Sequence, residues 1–550
     1  MKCTYTAPSR KTTPKKQRSQ GEADCSARKT EARFEHLESL LEQLKERLDI
    51  STQKSGAQTQ SHSPMTSAQV PWEKVSRSHD RHAGHNDTPA KLTNIPPRDE
   101  VLHIVQVFLD KFNSVLPLFQ AETLLLMVHE FYNLVPRERS PVAYAAINVV
   151  IALTYRHAMI GDSETSYALE HLRRAQSVLS AVILGETDLL NIQVLLGMVI
   201  LLQGSQDHQP PLILIATTMR LVHKIGLHNR ASSMYLDPVV ARQRTCVFWL
   251  AYILDKDTSM RMKQPSIQLD DDIDLDLPSQ TAGDYRSVDA SRLPTGCITT
   301  ADGTMEFDFF LSRIQLAIIQ GGVYDYLYST RSQKRSGEER AAALESVVRA
   351  LNQWKASIPP DFCAAGAVRE VPLESLRFLA GLHATSLSCT TLIDRAHAWN
   401  DQWVTSLRTS ALRGTNPLLP PSWEAVVDEA RDLLALFRVL PVADHSNFWI
   451  TSCTYMSAMM LLTAKAMQKP LDRSSSQDDE LVADGLHTVN EMLEESGSES
   501  LRWFRDTCTE LSLEVRRRRE IASTTVNGWN DGIESTSANR DVAAHSSFDL

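Results

Sequence analysis

From about Pro96 to Glu520, apolar residues return every three or four positions in one segment after another, and that periodicity dictates helices. The stretches SPVAYAAINVVIALTYRHAMIG and SYALEHLRRAQSVLSAVILG each end at glycine, the residue that most easily takes the left-handed turn that closes a helix. EVLHIVQVFLDKFNSVLPLF shares the period. TDLLNIQVLLGMVILLQG starts with Thr187 as the expected N-cap, and LDPVVARQRTCVFWLAYILDKDTSM starts with Asp237 capping and Pro238 in the first turn. No alternating strand pattern of comparable length occurs. The expectation is an all-α fold: a large multi-helix body over 96–520, broken by polar loops near 279–303, 329–340, 410–420 and 468–478.

The longest apolar runs, VAYAAINVVIAL and LLNIQVLLGMVILL, fall short of the roughly 20 residues a membrane helix needs and are expected to be core helices, with no membrane contact. The net charge of −10 argues against a generally cationic surface, so any nucleic-acid contact must come from a local patch. Eight cysteines scattered over 550 residues do not make a disulfide framework and read as reduced thiols of an intracellular protein.

One basic patch is at the front. Six Lys or Arg and no acid stand in the first 18 residues, five of them being Arg10, Lys11, Lys15, Lys16 and Arg18, in a basic arm over 1–30 that also holds Cys3. Such an arm suits phosphate-backbone contact, nuclear import, or simple solvation. Over 31–50, Phe34, Leu37, Leu41, Leu44 and Leu48 alternate spacings of three and four, the seam of a short coiled coil. Two heptads are marginal without a partner, and the same pattern suits an amphipathic helix packed on its own domain. Residues 51–95 turn to Ser, Gln, Thr, His, Pro and Gly and read as a disordered linker. His79, His82 and His85 within it have a metal-compatible spacing, but nothing there fixes the backbone. The polar stretch 521–550 reads as a disordered tail.

No catalytic arrangement is legible: there is no glycine-rich phosphate loop, nucleophile elbow or paired-histidine zinc helix. HEFYN at His129 lacks the second histidine, and STQK at Ser51 matches a serine-lysine motif by letters only. The acids Asp270, Asp271, Asp272, Asp274 and Asp276 lack the glycine turn and following glutamate of a calcium loop. Ile273, Leu275 and Leu277 alternate with them, which predicts an extended segment with its apolar side on the body and its carboxylates in water. His223 and His228 bracket a helix end at Gly226 and read as core or capping residues, while Phe248, Trp249 and Tyr252 make a broad aromatic packing face. RRRR at Arg516–Arg519 reads as the charged end of the last helix, with a second basic signal as the alternative.

Taken in order, MRLVHKIGLHNR, ARQRTCVFWLAYILDKDTSMRMKQP and SIQLDDDIDLDLP resemble the regulatory middle region of fungal binuclear zinc cluster transcription factors, also called the fungal-specific or xylanolytic activator regulatory domain. Gly226, Leu227, His228, Phe248, Trp249, Tyr252, Asp255, Ser259, Pro265 and Pro278 fall where the family pattern has the same residue types. The family usually has Arg where Lys256 stands, and Gly then Arg where Lys263 and Gln264 stand. Weaker similarity runs through VFLDKFNSVLPLF, ALNQWKASIPPDF and LSCTTLIDRAH, over roughly 96–465.

The resemblance implies a nuclear transcription regulator acting on RNA polymerase II transcription, not an enzyme. It also implies that Cys3 is the remnant of the last ligand of a six-cysteine cluster, followed by a basic linker and a dimerising coil. The other five cysteines are not among these residues, so zinc is expected only with an upstream cluster, and sequence-specific DNA binding is expected to be lost or truncated in this chain. Its expected partners are itself or related factors as a homo- or heterodimer, transcriptional coregulators, and DNA where the cluster is complete. The alternative is a non-DNA-binding dimer partner or corepressor acting by protein contacts.

Overall fold

The computed structural model describes residue 92 and residues 94–157, 165–278, 296–420, 422–440 and 445–544. The basic arm, the coiled coil and all of the 51–95 linker but residues 92, 94 and 95 therefore lie outside the described residues. The described chain is all-α. Its helices are α1 (Arg98–Phe108), α2 (Ala121–Asn133), α3 (Pro141–Arg156), α4 (Thr165–Gln176), α5 (Leu179–Leu184), α6 (Leu189–Gln203), α7 (Gln209–Lys224) and α8 (Pro238–Arg261). A two-stranded antiparallel hairpin follows, β1 (Cys297–Thr299) and β2 (Glu306–Asp308), with Ile298 opposite Phe307. Then come α9 (Phe309–Val323), α10 (Thr330–Gln333), α11 (Gly337–Ala356), α12 (Ala364–Glu370), α13 (Leu373–Ile393), α14 (Asp401–Arg413), α15 (Trp423–Val439), α16 (His445–Gln468), α17 (Ser475–Ser496) and α18 (Glu499–Ala544).

Two units divide the described chain. One holds residues 335–346, including the start of α11; there Ser336 and Glu339 form a reciprocal cap, each accepting the other's backbone N–H at 3.2 and 2.8 Å. The other unit, residues 84–334 and 347–550, holds nearly all the described structure.

Helices that are apolar all round must be buried on every side. α3 and α6 meet that condition: Ala143–Thr154 is continuously buried, as is Asn191–Val199. They pack on each other, and Gly197 allows the close approach, since a Cβ there would stand 2.3 Å from Val149 Cγ1. A buried polar pair between α3 and α4 is satisfied: Asn148 Oδ1 lies 2.8 Å from His171 Nδ1 on α4, and Asn148 Nδ2 donates to the Tyr144 carbonyl at 2.8 Å. Burial pushes the His171 imidazole down to about 4, which keeps it neutral. In the second half, α16 is the central element, buried almost without break from Thr454 to Met467, with α13, α15, α17 and α18 around it. No described helix is long and apolar enough to cross a membrane.

Several boundaries differ from expectation. α6 is capped by Asp188, not Thr187: Asp188 and Asn191 exchange side-chain-to-backbone bonds at 3.2 and 3.1 Å, a reciprocal cap that a threonine one residue earlier does not complete. The polar stretch 329–340 is mostly helical, because Ser329 caps α10 and Ser336 caps α11. The stretch near 300 contains the hairpin, closed by Thr300 and Asp302 over Gly303. α18 continues to Ala544, so backbone that composition alone leaves without structure is helical. RRRR is more than a charged helix end: Arg518 donates to the carbonyls of Met467, Ser410 and Thr415, each at 2.9 Å, and Arg519 to that of Pro470 at 3.0 Å. These two arginines fasten α18 to the ends of α14 and α16 and are occupied as structural donors.

Candidate regulatory site

The residues that carry the family-like pattern converge at one place, where α7 ends, α8 passes, and residues 266–278 return across both. α7 ends as its sequence dictates. Gly226 takes φ +69°, the Gly226 N–H reaches the His223 carbonyl at 3.1 Å, and the Leu227 N–H reaches that of Val222 at 3.0 Å. Arg244 on α8 then caps the same end, donating to the Ile225 carbonyl and to Ser233 Oγ at 2.9 Å each.

α8 begins with Asp237 accepting the Val239 N–H at 2.9 Å, with Pro238 next in the chain, as the sequence indicates. Phe248, Trp249 and Tyr252 are buried and meet edge to face, with centroids of Phe248 and Trp249 5.2 Å apart, so the aromatic face is core. Two turns of the same helix carry charges into that core. Asp255 is buried and accepts the backbone N–H of both Ile267 and Gln268 at 2.9 Å. Burial raises its carboxyl above the usual range, and the two backbone donors pull against that rise. Lys256 is buried beside it. Its three ammonium hydrogens meet three acceptors: Ser266 Oγ at 2.8 Å, the Gln268 carbonyl at 2.9 Å and Asp270 Oδ1 at 2.9 Å. The ring of Tyr252 covers the ammonium at 4.8 Å, and the Tyr252 hydroxyl donates to the same Asp270 oxygen at 2.8 Å.

The segment so held continues as an extended strand-like run. His228 accepts the Asp274 N–H at 3.0 Å, and the Arg230 N–H donates back to the Asp274 carbonyl at 3.0 Å. Trp249 Nε1 donates to the Asp276 carbonyl at 3.1 Å, and Arg230 pairs with Asp276 at 2.8 Å. Ile273, Leu275 and Leu277 are half-buried and alternate with exposed Asp274 and Asp276, as the alternation predicts. Asp270 departs from that reading, because it turns inward to Lys256 and Tyr252 instead of facing water. Gln268 links the layers, pairing with His223 Nε2 at 2.8 Å, and His223 meets His228 edge to face with centroids 5.1 Å apart. Burial, and secondarily His223, lower the His228 imidazole. Between these elements lies a cleft of about 590 Å³, lined among others by Arg220, His223, His228, Leu269, Asp271 and Asp272.

Pro265 is exposed and Pro278 closes the described run. Ser259 is buried, and its carbonyl accepts the Gln264 N–H at 2.9 Å. That bond wraps α8 at Lys263, which takes φ +52°, a conformation costly for a side chain with a Cβ. This is the position where the resemblance has glycine. Asp257, one residue beyond Lys256, faces the other way and pairs with Arg313 of α9. Gln320 Nε2 donates to the same Asp257 oxygen at 3.0 Å.

Cys3, the coil residues Phe34, Leu37, Leu41, Leu44 and Leu48, and Arg10, Lys11, Lys15, Lys16 and Arg18 lie outside the described residues. Sequence reading missed the role of Lys256, Arg244 and Arg518. For Lys256 the available signal was a cation directly following an apolar helical run, which must find partners once buried. Among the described residues no three His, Cys, Asp or Glu side chains gather as a metal-binding set.

Residues 105–356 match the fungal specific transcription factor domain. Over 425 residues, 76% of this chain, the sequence is 32% identical to ABC-transporter-regulating transcription factors of Aspergillus fumigatus and Aspergillus oryzae, covering 46% of each. It is 25% identical over 432 residues to the fusaridione A cluster transcription factor of Fusarium heterosporum, covering 78% of that protein. The chain thus spans about half the length of the two Aspergillus relatives. These likenesses support a fungal transcriptional regulator.

Two substitutions test the clasp. Lys256→Met removes all three bonds and leaves Asp270 without its cation, so it is expected to destabilise the fold by about 3–5 kcal/mol, read as a lower urea midpoint. Lys263→Gly relieves the left-handed backbone and is expected to raise stability by up to about 1 kcal/mol, measured the same way.

Proposed function

We propose that this chain is a nuclear regulator of RNA polymerase II transcription whose helical body acts through contacts with coregulators. The observation that carries the reading is the laced motif of α7, α8 and residues 266–278, which lies inside the region matching the fungal specific transcription factor domain and holds an exposed surface rigidly over the core. Dimers form through Phe34, Leu37, Leu41, Leu44 and Leu48, with the chain itself or a related factor as partner. Cys3 is the last ligand of a six-cysteine cluster. One thiolate cannot fill a four-ligand site, so zinc binding requires the remaining cluster ligands as well as Cys3. Arg10, Lys11, Lys15, Lys16 and Arg18 meet the DNA backbone without reading its sequence, and a dimer partner or corepressor acting by protein contacts is the alternative reading. Relatives named as ABC-transporter-regulating make the genes of such transporters the first promoters to test for occupancy.

Titrated with duplex DNA of random sequence, the full chain is expected to bind weakly, with log affinity falling against log salt at a slope of about −4 to −5 for five cations, and a zinc chelator should leave this unchanged. Sequence-specific or chelator-sensitive binding at physiological salt overturns the reading of these residues. In sedimentation, Leu41→Glu combined with Leu44→Glu is expected to convert dimers of the full chain to monomers; unchanged mass removes the coil from the account.

A further inference from the structure

Three carbonyl groups just before α1 are held by side chains from three separate elements. In the loop between α2 and α3, Arg139 Nη1 donates to the Leu92 carbonyl at 3.1 Å. Arg174 Nη1 on α4 donates to the Asn94 carbonyl at 3.1 Å, and the Tyr132 hydroxyl on α2 donates to that of Pro96 at 2.5 Å. The acceptors stand two residues apart, which is the repeat of an extended chain. Pro96 and Pro97 favour that form, because each fixes its own φ and disfavours helix in the residue before it. Pro97 then passes straight into α1, its carbonyl accepting the Val101 N–H at 3.1 Å.

The donors are themselves fixed. The Arg139 guanidinium lies over the Phe131 ring at 4.7 Å, and its Nε donates to the Leu134 carbonyl at 3.3 Å. Arg174 Nε pairs with Glu170 at 3.2 Å, one turn earlier on α4. Apolar burial contributes little to the hold: Leu92, Ile95 and Pro96 are half-buried, and Asn94 and Pro97 are exposed. α1, in contrast, is anchored by the buried side chains of Val101, Ile104, Val105 and Phe108. The segment before α1 is therefore fastened by three polar bonds of modest net strength at a partly exposed surface, and the helix after it by the core. A segment held in this way opens without unfolding the helices beneath it.

We propose that residues 92 and 94–97 form a releasable strap, which sets where the chain preceding it departs from the helical body. With the strap closed, the departure point is Leu92, seated on Arg139. With it open, that point moves to Arg98, and the preceding chain gains about 20 Å of reach at full extension. A pull on that chain is borne first by Arg139, Arg174 and Tyr132, and only after their release by the first turn of α1. The strap holds whatever the preceding residues bind, so it stands or falls apart from the reading of the chain as a transcription regulator.

The test is trypsin cleavage of the full chain at the Lys91–Leu92 bond, followed by intact mass. A protease needs several residues on both sides of the bond to be extended and free of the body, so this cut reports strap opening. In the parent chain it is expected to lag at least tenfold behind the cut at Arg81–His82. Tyr132→Phe removes one donor and keeps the ring, and it should speed the Lys91 cut at least threefold. Tyr132→Phe combined with Arg139→Met should speed it at least tenfold. In both variants the Arg81 cut and the melting temperature should stay as in the parent. Equal Lys91 rates in parent and variants, or a parent cut at Lys91 as readily as at Arg81, overturns the proposal. So does acceleration that appears only together with a lower melting temperature, which would make the three bonds part of the global fold and not a strap.

Discussion

Asp255 and Lys256 are adjacent buried charges on α8, and each is neutralised mainly by the chain segment that follows the helix: Asp255 by the N–H groups of residues 267 and 268, Lys256 by Ser266, the Gln268 carbonyl and Asp270. Burying either charge without partners would cost several kcal/mol. The segment 266–270 therefore has one low-energy place to lie, across the helix that carries both residues. Gln268 passes the constraint to His223 at the end of α7, and the pairing of Asp274 with His228 and Arg230 extends it to the next loop. A run of residues with little core-forming capacity of its own is held to the body by polar bonds. The same device appears in the second half of the chain, where buried Asp478 is shared between Arg431 of α15 and Lys465 of α16 at 2.6 and 2.7 Å. In both places a buried ion pair fixes which elements meet, a role in specificity more than in net stability.

The identity of the cation matters to this geometry. A lysine ammonium is compact, and its three donors match the three acceptors in number. Lys256 also lies against Gly321 of α9, where a Cβ would come within 3.3 Å of its Nζ. The larger planar guanidinium that the family usually places here would need its space and acceptors arranged differently. The departures from the pattern at Lys256 and Lys263 thus have different physical standing: the first is matched by its surroundings, and the second sits in a backbone conformation that favours the glycine it replaces.

The helices were legible because their periodicity is strong and their stops are chemically marked. Gly226, Asp237 and Pro238 act where the sequence places them, and the all-round apolar runs of α3 and α6 are buried as such runs must be. The alternation of Ile273, Leu275 and Leu277 with acids was legible for the same reason. What was not legible depends on contacts distant in sequence. Nothing local distinguishes Asp270, which turns inward, from Asp271 and Asp272, which do not; only the position of Lys256 and Tyr252 a dozen or more residues earlier decides it. Likewise RRRR reads as a solvated charge run until the carbonyls at the ends of α14 and α16 are brought to Arg518. Long-range polar partners carry no period, and a period is what pattern reading detects.

That same polar lacing explains how a surface loop between helices can present apolar side chains without collapsing onto them. Met234, Tyr235 and Leu236 follow directly on Ser232 and Ser233, which Arg244 and the Gly226 carbonyl hold, and those anchors belong to the capped end of α7. Asp271 and Asp272 inherit their position from Asp270, whose neighbours in sequence cannot turn inward while Asp270 occupies the lysine. Core and surface are therefore set by one chain of bonds, running from Lys256 through Asp270 and Gln268 to the loop before α8. A surface ordered in this way has already met its conformational cost during folding.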